Sequence, residues 1–279
     1  MCYCVFRWRC VDLLANKRYS RILSLLKQNG AVTTGELVEL LGVSLETVRR
    51  DLLHLERQGQ LKRVHGGAVS PGSMRPYVSL PERLEANPDK KAQLCRTAAL
   101  LVEEGDVICI DCGSTAVFLA QAIRDRISRL TVITHSLDVF DILRQKEDFQ
   151  IILLGGTYDD REKAFWGHLT LDTLEHLHAQ KAFLCPSAVS LERGIWDYHP
   201  QLLQLQKKII ASADRAVILA DSEKFESTAM LKLWDTDPGF LYVSDPALPQ
   251  HLRQLYREKG IHIITSAQEA ETVRKEIGL

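Results

Sequence analysis

The sequence feature that most constrains the fold is an alternation of apolar runs and helical patterns between residues 90 and 279. Seven runs have the composition of strands: Asp106–Ile110, Leu130–Thr134, Gln150–Leu154, Lys181–Leu184, Ala216–Ala220, Phe240–Val243 and Ile261–Thr265. The helical patterns between most of them are Lys91–Glu103, Thr115–Arg126, Leu137–Gln145, Leu169–His178, Leu202–Ala213, Pro249–Lys259 and Ala267–Glu276. Continuously apolar strands that alternate with helices indicate a mostly parallel sheet covered on both faces. We therefore predict an α/β domain over residues 90–279.

Residues 17–70 have a different pattern, that of a winged helix-turn-helix. Thr33 and Glu36 have capping-box spacing ahead of a short helix that Gly42 ends, and Ser44 then caps a longer helix. Two helices joined by a turn of about three residues that contains glycine have helix-turn-helix spacing. The predicted helices are Arg18–Gln28, Gly35–Leu41 and Leu45–Gln58, followed by a β-wing over residues 60–69.

The third predicted helix has the two faces that a recognition helix needs. At 100° per residue, one face gathers the side chains expected to be buried: Leu45, Val48, Leu52 and Leu55. On the opposite face we expect Arg50 to read a base edge, while Arg49 and the basic wing residues contact phosphates. An ordinary solvated helix face is the alternative. The residues predicted to contact DNA are Thr33, Thr34, Ser44, Thr47, Arg49, Arg50, His54, Lys62, Arg63 and His65.

Charge supports a division between a DNA-contacting head and a larger body. The chain has a net charge of −1, but residues 1–66 hold 11 Lys and Arg against 6 Asp and Glu, which leaves 24 against 30 in the remainder. Only the head is therefore expected to meet a polyanion. Four of the nine prolines lie within residues 70–89, so residues 71–89 are predicted to form a linker. Residues 1–16 match no element and are assigned to an N-terminal extension.

Composition also predicts the compartment and excludes a membrane span. No run of about 18 apolar residues occurs, as a spanning helix would require. The seven cysteines show no repeated paired spacing, and Cys109 and Cys112 fall in and just after an apolar run. We interpret that C-x-x-C as buried reduced thiols in a cytoplasm rather than a redox or zinc pair. No metal, cofactor or catalytic group is predicted.

Polar side chains and glycines follow four of the predicted strands, where parallel sheets bind ligands. Taken singly, these positions could be helix caps, a turn and a surface ion pair. Their coincidence at four strand ends instead predicts a site for a phosphorylated polyol, with hydroxyls and amides at one end and a carboxylate and an ammonium at another. The predicted effector-binding residues are Asp111, Gly113, Ser114, Thr115, Thr134, His135, Ser136, Gly155, Gly156, Asp221 and Lys224.

Two sets of motifs resemble those of the DeoR family of bacterial transcriptional regulators, over about residues 17–259. The head motifs are V43-S44-x-x-T47-V48-R49-R50-D51-L52 and R63-V64-H65-G66-G67-A68. The body motifs are D111-x-G113-S114-T115, T134-x-S136, L154-G155-G156 and D221-x-x-K224-F225. The resemblance implies a fold shared with ribose-5-phosphate isomerase and CoA-transferase-like proteins. It also implies a sugar-phosphate or related effector that weakens operator binding, and a homo-oligomer, either a dimer or a tetramer.

The chain departs from the family pattern at three places. His135 replaces the usual Asn, and Cys185–Val189 replaces the usual Gly-Ala-Ser-Gly-Ile. Leu202 and Gln206 stand where Glu and Lys are usual, so the usual carboxylate and one usual cation are absent from those positions.

Three functions fit these observations. The first is a DNA-binding transcriptional regulator, a repressor of a carbohydrate-utilisation operon that responds to a sugar phosphate or related metabolite. The second is a sugar-phosphate isomerase-like enzyme with a DNA-binding head, in which Asp221 and Lys224 would move a proton. The third is a regulator whose body only dimerises. We predict the first, because ligand binding alone accounts for the same residues.

Overall fold

The computed structural model describes residues 15–26, 31–64, 67–69 and 75–276, and only the backbone at positions 31, 62, 64 and 69. The predicted extension therefore lies outside the described residues except at 15 and 16, which are helical. His65 and residues 71–74 of the predicted linker also lie outside them. The chain divides into two compact units, Met1–Ser73 with Pro249–Lys259, and Met74–Leu248 with Gly260–Leu279.

The first unit is a winged helix-turn-helix, as predicted. Its three strands form an antiparallel sheet in the order β1-β3-β2, and β1 is a strand that the sequence did not reveal. The helix Gln250–Glu258, predicted as part of the second domain, belongs to this unit and packs against β1. The elements are α1 (15–26), β1 (Ala31–Thr33), α2 (Thr34–Leu41), α3 (Leu45–Arg57), β2 (Lys62–Val64) and β3 (Gly67–Val69).

Helix α3 packs on an apolar core with Val48, Leu52 and Leu55, all of which are buried, as predicted. The prediction for Leu45 was wrong, because its side chain is 42% exposed. Leu45 is the first residue of α3, and this first turn extends past the core cluster.

The second unit is built on a seven-stranded sheet in the order β15-β14-β12-β9-β4-β5-β6, and every adjacent pair is parallel. The mostly parallel α/β prediction is thus confirmed. After the wing, the chain forms α4 (Leu80–Glu85), α5 (Pro88–Ala99), β4 (Val107–Ile110), α6 (Ser114–Arg126), β5 (Leu130–Thr134), α7 (Leu137–Leu143), β6 (Phe149–Leu153), β7 (Thr157–Asp159), β8 (Ala164–Trp166), α8 (His168–Glu175), β9 (Ala179–Leu184), β10 (Ala188–Ser190), β11 (Gly194–Asp197), α9 (Pro200–Ala211), β12 (Ala213–Leu219), β13 (Leu231–Trp234), β14 (Leu241–Val243), α10 (Gln250–Glu258), β15 (Ile263–Ile264) and α11 (Ala267–Glu276).

The seven predicted strands are the seven strands of this sheet, with ends displaced by up to three residues. Their side chains fill the space between sheet and helices, which explains why continuous apolar runs identified them. The chain leaves β4 in one direction through β5 and β6, and later returns to the other side of β4 through β9. This reversal creates a switch point at the carboxyl ends of β4 and β9, where open α/β sheets bind ligands.

A hairpin, a small sheet and a short helix of the second unit were not predicted from the sequence. The hairpin β7–β8 and the antiparallel sheet β10-β11-β13 lie outside the main sheet. The predicted linker 71–89 is not a plain connector over its described part, because it contains α4 and the first residues of α5. Glu82 accepts a hydrogen bond from the backbone N–H of Ser79, so the S-x-x-E spacing at 79–82 marks the start of α4.

None of the helices in the described part of the chain combines the length and the apolar character needed to cross a membrane.

Candidate functional site

The outer face of α3 presents the side chains that the sequence predicts for DNA reading. Arg49, Arg50 and His54 are exposed, and Thr47 is half-buried. Since Val48 and Leu52 anchor the opposite face in the core, the polar face is fixed outward over the N-terminal half of the helix. This is the half that a recognition helix places in the major groove.

Two of the predicted DNA contacts also serve as helix caps. The hydroxyl of Thr33 accepts the backbone N–H of Glu36 at 3.1 Å, and the hydroxyl of Ser44 accepts that of Thr47 at 3.3 Å. These bonds satisfy N–H groups that a helix start leaves unpaired. Thr34 is half-buried as the first residue of α2.

Two further predicted contacts, His54 and Arg63, have partners within the unit. The ring of His54 stacks on Tyr19 with 4.8 Å between centroids. The guanidinium of Arg63 pairs with Glu56, 2.8 Å from Nε to Oε2. This exposed pair is worth little in water, so Arg63 can exchange it for a phosphate. The side chain of Lys62 and the whole of His65 lie outside the described residues, so their contacts remain predictions.

A charged pair between α1 and the recognition helix α3 was not predicted from the sequence. Asp51 is buried on α3, and Arg18 of α1 donates to both of its oxygens, at 2.6 Å from Nε and 2.9 Å from the terminal nitrogen. The hydrogen bond to Asp51 raises the pKa of Arg18 above its ordinary value. The sequence signal for this pair was an acidic residue on the buried face of a basic helix. A buried charge requires a partner, so such a residue predicts an ion pair.

The second unit contains a cavity of about 100 Å³ at the switch point of the sheet. The loops after β4, β9 and β12 contribute Cys112, Cys185 and Asp221, and residues 75–91 form another wall. A cavity with charged and apolar lining groups at this place in the fold is a candidate site for a small metabolite.

The cavity brings together four of the eleven predicted effector residues, Gly113, Ser114, Asp221 and Lys224. The other seven do not line it: Asp111, Thr115, Thr134, His135, Ser136, Gly155 and Gly156. Of these, Asp111, Thr115, Thr134, His135 and Ser136 are buried.

Three of those seven residues have evident packing or capping roles. Thr134 donates its hydroxyl to the Ile110 carbonyl at 2.9 Å, and Ser136 accepts the N–H of Val139 to cap α7. Gly156 has φ +155°, and a Cβ there would lie 2.6 Å from the Trp166 carbonyl oxygen. The glycine therefore permits close approach of backbone to backbone.

Positive groups collect around the N-terminus of α6. Gly113 has φ +101°, and a guanidinium nitrogen of Arg83 lies 3.3 Å from the position of its missing Cβ. Lys224 donates to the Pro186 carbonyl at 2.8 Å and lines the same cavity. Lys91 is buried, donating to the Arg83 and Ala86 carbonyls, and this burial lowers its pKa. Helix N–H groups, a guanidinium and ammonium groups together favour an anion.

A buried carboxylate, Glu162, ties the 75–86 segment to the rest of this unit. It pairs with Arg83, accepts the phenol of Tyr77 at 2.9 Å, and lies 3.3 Å from Nε2 of His199. Burial alone would raise the pKa of Glu162, but the bonds from His199 and Arg83 outweigh it and lower that pKa. The pKa of Arg83 is raised, since the attraction of Glu162 outweighs the cost of burial.

Gln206, at a position where the family usually has Lys, joins two buried carboxylates. Its amide nitrogen donates to Asp111 and to Asp197, at 2.9 Å in each case. Asp197 also accepts the hydroxyl of Ser187 at 2.9 Å. Burial raises the pKa of Asp197 despite these bonds. Leu202 lines the cavity where the usual carboxylate would stand. Gln206 stands where the usual lysine would be, and its neutral amide donates hydrogen bonds to two acidic groups.

The sequence analysis missed the cavity residues that lie outside the strand ends, chiefly Arg83, Lys91, Glu162, Asp197 and His199. The Ser79–Glu82 spacing was a usable signal for the structured segment that carries Arg83. No comparable local signal exists for Glu162 or His199, because tertiary folding brings their hairpin and helix together.

Comparisons with known proteins agree with both units. Residues 18–74 match the family model of the DeoR-like helix-turn-helix domain, and residues 86–245 match that of the DeoR C terminal sensor domain. The HTH-type transcriptional repressor GlcR of Bacillus subtilis is 31% identical over 91% of this chain and 97% of its own. The L-fucose operon activator of Haemophilus influenzae is 31% identical over 88% of this chain and 98% of its own. Among solved structures, ribose 5-phosphate isomerase A of Methanocaldococcus jannaschii is 19% identical, with a TM-score of 0.38, over 50% of this chain and 55% of that one.

A winged helix-turn-helix joined to a sensor domain defines a DNA-binding transcriptional regulator. The chain belongs to the DeoR family of such regulators. The predicted resemblance is thereby confirmed, and the family match favours a regulator over the isomerase-like enzyme considered as the alternative.

Proposed function

We propose that this regulator represses a carbohydrate-utilisation operon in the cytoplasm and releases its operator when a sugar phosphate or related metabolite enters the cavity. The observation that carries the proposal is a cavity wall that combines cationic groups and the N-terminus of α6 with carboxylates. Relatives whose names refer to sugar operons support the same class of effector.

The cationic groups of the wall suit a phosphate group. The N-terminus of α6 offers backbone N–H groups beside Ser114, and Arg83 and Lys224 supply charge on the cavity wall. A phosphate accepts several such donors at once, and a guanidinium can bind it in bidentate fashion. The α6 terminus is free to donate because Gly113, its N-cap residue, has no side chain to cap it.

Other groups on the cavity wall suit hydroxyl groups. Glu162, Asp197, Tyr198 and His199 line the cavity, and carboxylates accept hydrogen bonds from a polyol while repelling a second phosphate. Leu202 adds an apolar contact. The cavity therefore favours a singly phosphorylated polyol over a bisphosphate.

For the DNA-binding unit we propose that two subunits of a homo-oligomer bind paired half-sites, with one α3 in each major groove. Half-sites for such helices lie one helical turn, or a multiple of it, apart. Arg50 would read a base, and Arg49, Lys62, Arg63 and His65 would contact phosphates.

The test is a thermal-shift screen of the full chain against sugar phosphates, free sugars and polyols. A ligand at one hundred times its Kd stabilises the protein by about 2.7 kcal/mol, which raises Tm by several degrees. The expected hit is a monophosphate that also weakens operator binding. The double variant Ser114→Ala, Lys224→Ala should bind operator normally but lose both responses. A screen without any shift, or a double variant that still responds fully, would contradict the proposed cavity function.

A further inference from the structure

His135, which stands where the family usually has Asn, is fully buried and has a fixed orientation. Its Nδ1 lies 3.0 Å from the carbonyl oxygen of Phe165. A carbonyl oxygen only accepts hydrogen bonds, so Nδ1 must carry the proton that is shared. In the neutral ring, Nε2 then presents a lone pair.

That lone pair faces a carboxylate. Nε2 of His135 lies 3.1 Å from Oδ1 of Asp111, whose side chain is also fully buried. The second oxygen, Oδ2, already accepts the backbone N–H of Cys185 at 3.1 Å and the amide of Gln206 at 2.9 Å. Oδ1 and Nε2 therefore face each other directly, in an arrangement that a shared metal ion would satisfy.

A third ligand group lies beside this pair. The sulfur of Cys112, one ring nitrogen of His135 and one carboxylate oxygen of Asp111 all lie within 4.8 Å of one another. A tetrahedral zinc ion with bonds of about 2.0–2.3 Å holds its ligand atoms roughly 3.3–3.7 Å apart. The nitrogen and oxygen, 3.1 Å apart, would need to separate only slightly to reach that spacing. Cys112 also lines the cavity, whereas Asp111 and His135 lie behind its wall.

We propose that Asp111, Cys112 and His135 form a binding site for a zinc-type divalent metal ion. The imidazole donates its other N–H to a backbone carbonyl, and the carboxylate is held by two further donors. These supporting bonds are the ones that orient ligands around protein metal ions. One nitrogen, one oxygen and one sulfur ligand suit Zn²⁺ or Co²⁺ rather than Mg²⁺ or Ca²⁺, which prefer oxygen. This proposal does not depend on whether the cavity binds a sugar phosphate.

The experiment uses tag-free, full-length protein stripped with a chelator and titrated with Co²⁺, then with Zn²⁺ in competition. Because Cys2, Cys4 and Cys10 could bind metal themselves, all measurements are made with Cys2→Ser, Cys4→Ser and Cys10→Ser present. We expect one metal ion per chain, with thiolate-to-cobalt charge-transfer absorption and the visible bands of four-coordinate Co²⁺.

Single substitutions identify the ligands. Cys112→Ser should abolish the charge-transfer band, and His135→Asn should raise the Kd by at least about a hundredfold, more than the loss of a supporting partner costs. Cys109→Ser, a buried thiol three residues away in the chain, is the matched control and should keep the full signal. Circular dichroism establishes that each variant is folded. Absence of stoichiometric metal in the parent, or a signal that survives in the folded Cys112→Ser, His135→Asn double variant, would overturn the proposal.

Discussion

The carboxylate of Asp51 lies 2.6 Å from the guanidinium Nε of Arg18, which fixes the recognition helix α3 to α1. Because Asp51 is nearly inaccessible, its removal leaves a partly buried arginine without a partner. We expect Asp51→Ala to lower the free energy of unfolding by about 2–4 kcal/mol and to weaken operator binding through loss of helix position.

Urea unfolding followed by circular dichroism measures this change. Glu46→Ala, at an exposed position in the first turn of α3, is the control and should alter stability by less than about 0.5 kcal/mol. Equal losses in the two variants would show that the pair has no special role.

Arg49 and Arg50 are adjacent and both exposed, yet they are predicted to act differently on DNA. Arg50→Ala should cost about 1–3 kcal/mol on the operator and relax base preference at one position. Arg49→Ala should weaken binding about equally on all sequences and reduce the salt dependence by about one counterion. Fluorescence anisotropy with operator and scrambled duplexes at several salt concentrations separates the two. A uniform loss from Arg50→Ala would identify it as a phosphate contact instead.

Gly155 and Gly156 offer a matched pair of substitutions after β6. A Cβ at Gly156 would lie 2.6 Å from the Trp166 carbonyl and collide with the Thr170 hydroxyl, whereas a Cβ at Gly155 meets nothing within 4 Å. Gly156→Ala should therefore destabilise the protein by about 1–3 kcal/mol, and Gly155→Ala by less than about 0.5 kcal/mol. Thermal unfolding measures both. If Gly155→Ala were the more damaging change, or selectively removed a ligand response, the glycines would belong to the effector site after all.

Glu162 should make stability depend on pH. Its pKa is lowered in the folded protein, so its contribution is fully present above the unfolded value of about 4.3 and is lost as the pH falls through the folded pKa. The difference in free energy of unfolding between the native protein and Glu162→Gln should therefore be largest near pH 6 and shrink below about pH 4.

Denaturant titrations between pH 3 and 7 test this dependence. Glu85→Gln, an exposed position at the end of α4, serves as the control and should follow the native protein at every pH. A difference for Glu162→Gln that grows on acidification would reverse the sign and refute the interpretation.

The sequence was informative wherever a local pattern determines the structure. Ser44 has the side chain that a helix start requires, and Val107–Ile110 is apolar because both faces of its strand are covered. The cavity was only partly predictable, because its wall joins distant segments. Nothing near Glu162 in the chain shows that Arg83 will reach it. Similarly, the sequence shows only that Gln206 replaces a usual cation. The fold shows that its amide donates hydrogen bonds to two carboxylates, those of Asp111 and Asp197.

The segment between the wing and the sheet has a practical consequence for building chimaeras within the family. Tyr77 and Arg83 form part of the cavity wall, although a cut at residue 89 would look natural from the prolines. A hybrid regulator joined to another protein's DNA-binding head at residue 89 would also receive part of its cavity wall from that protein. Heads should be exchanged before residue 75, so that each sensor keeps its whole cavity wall.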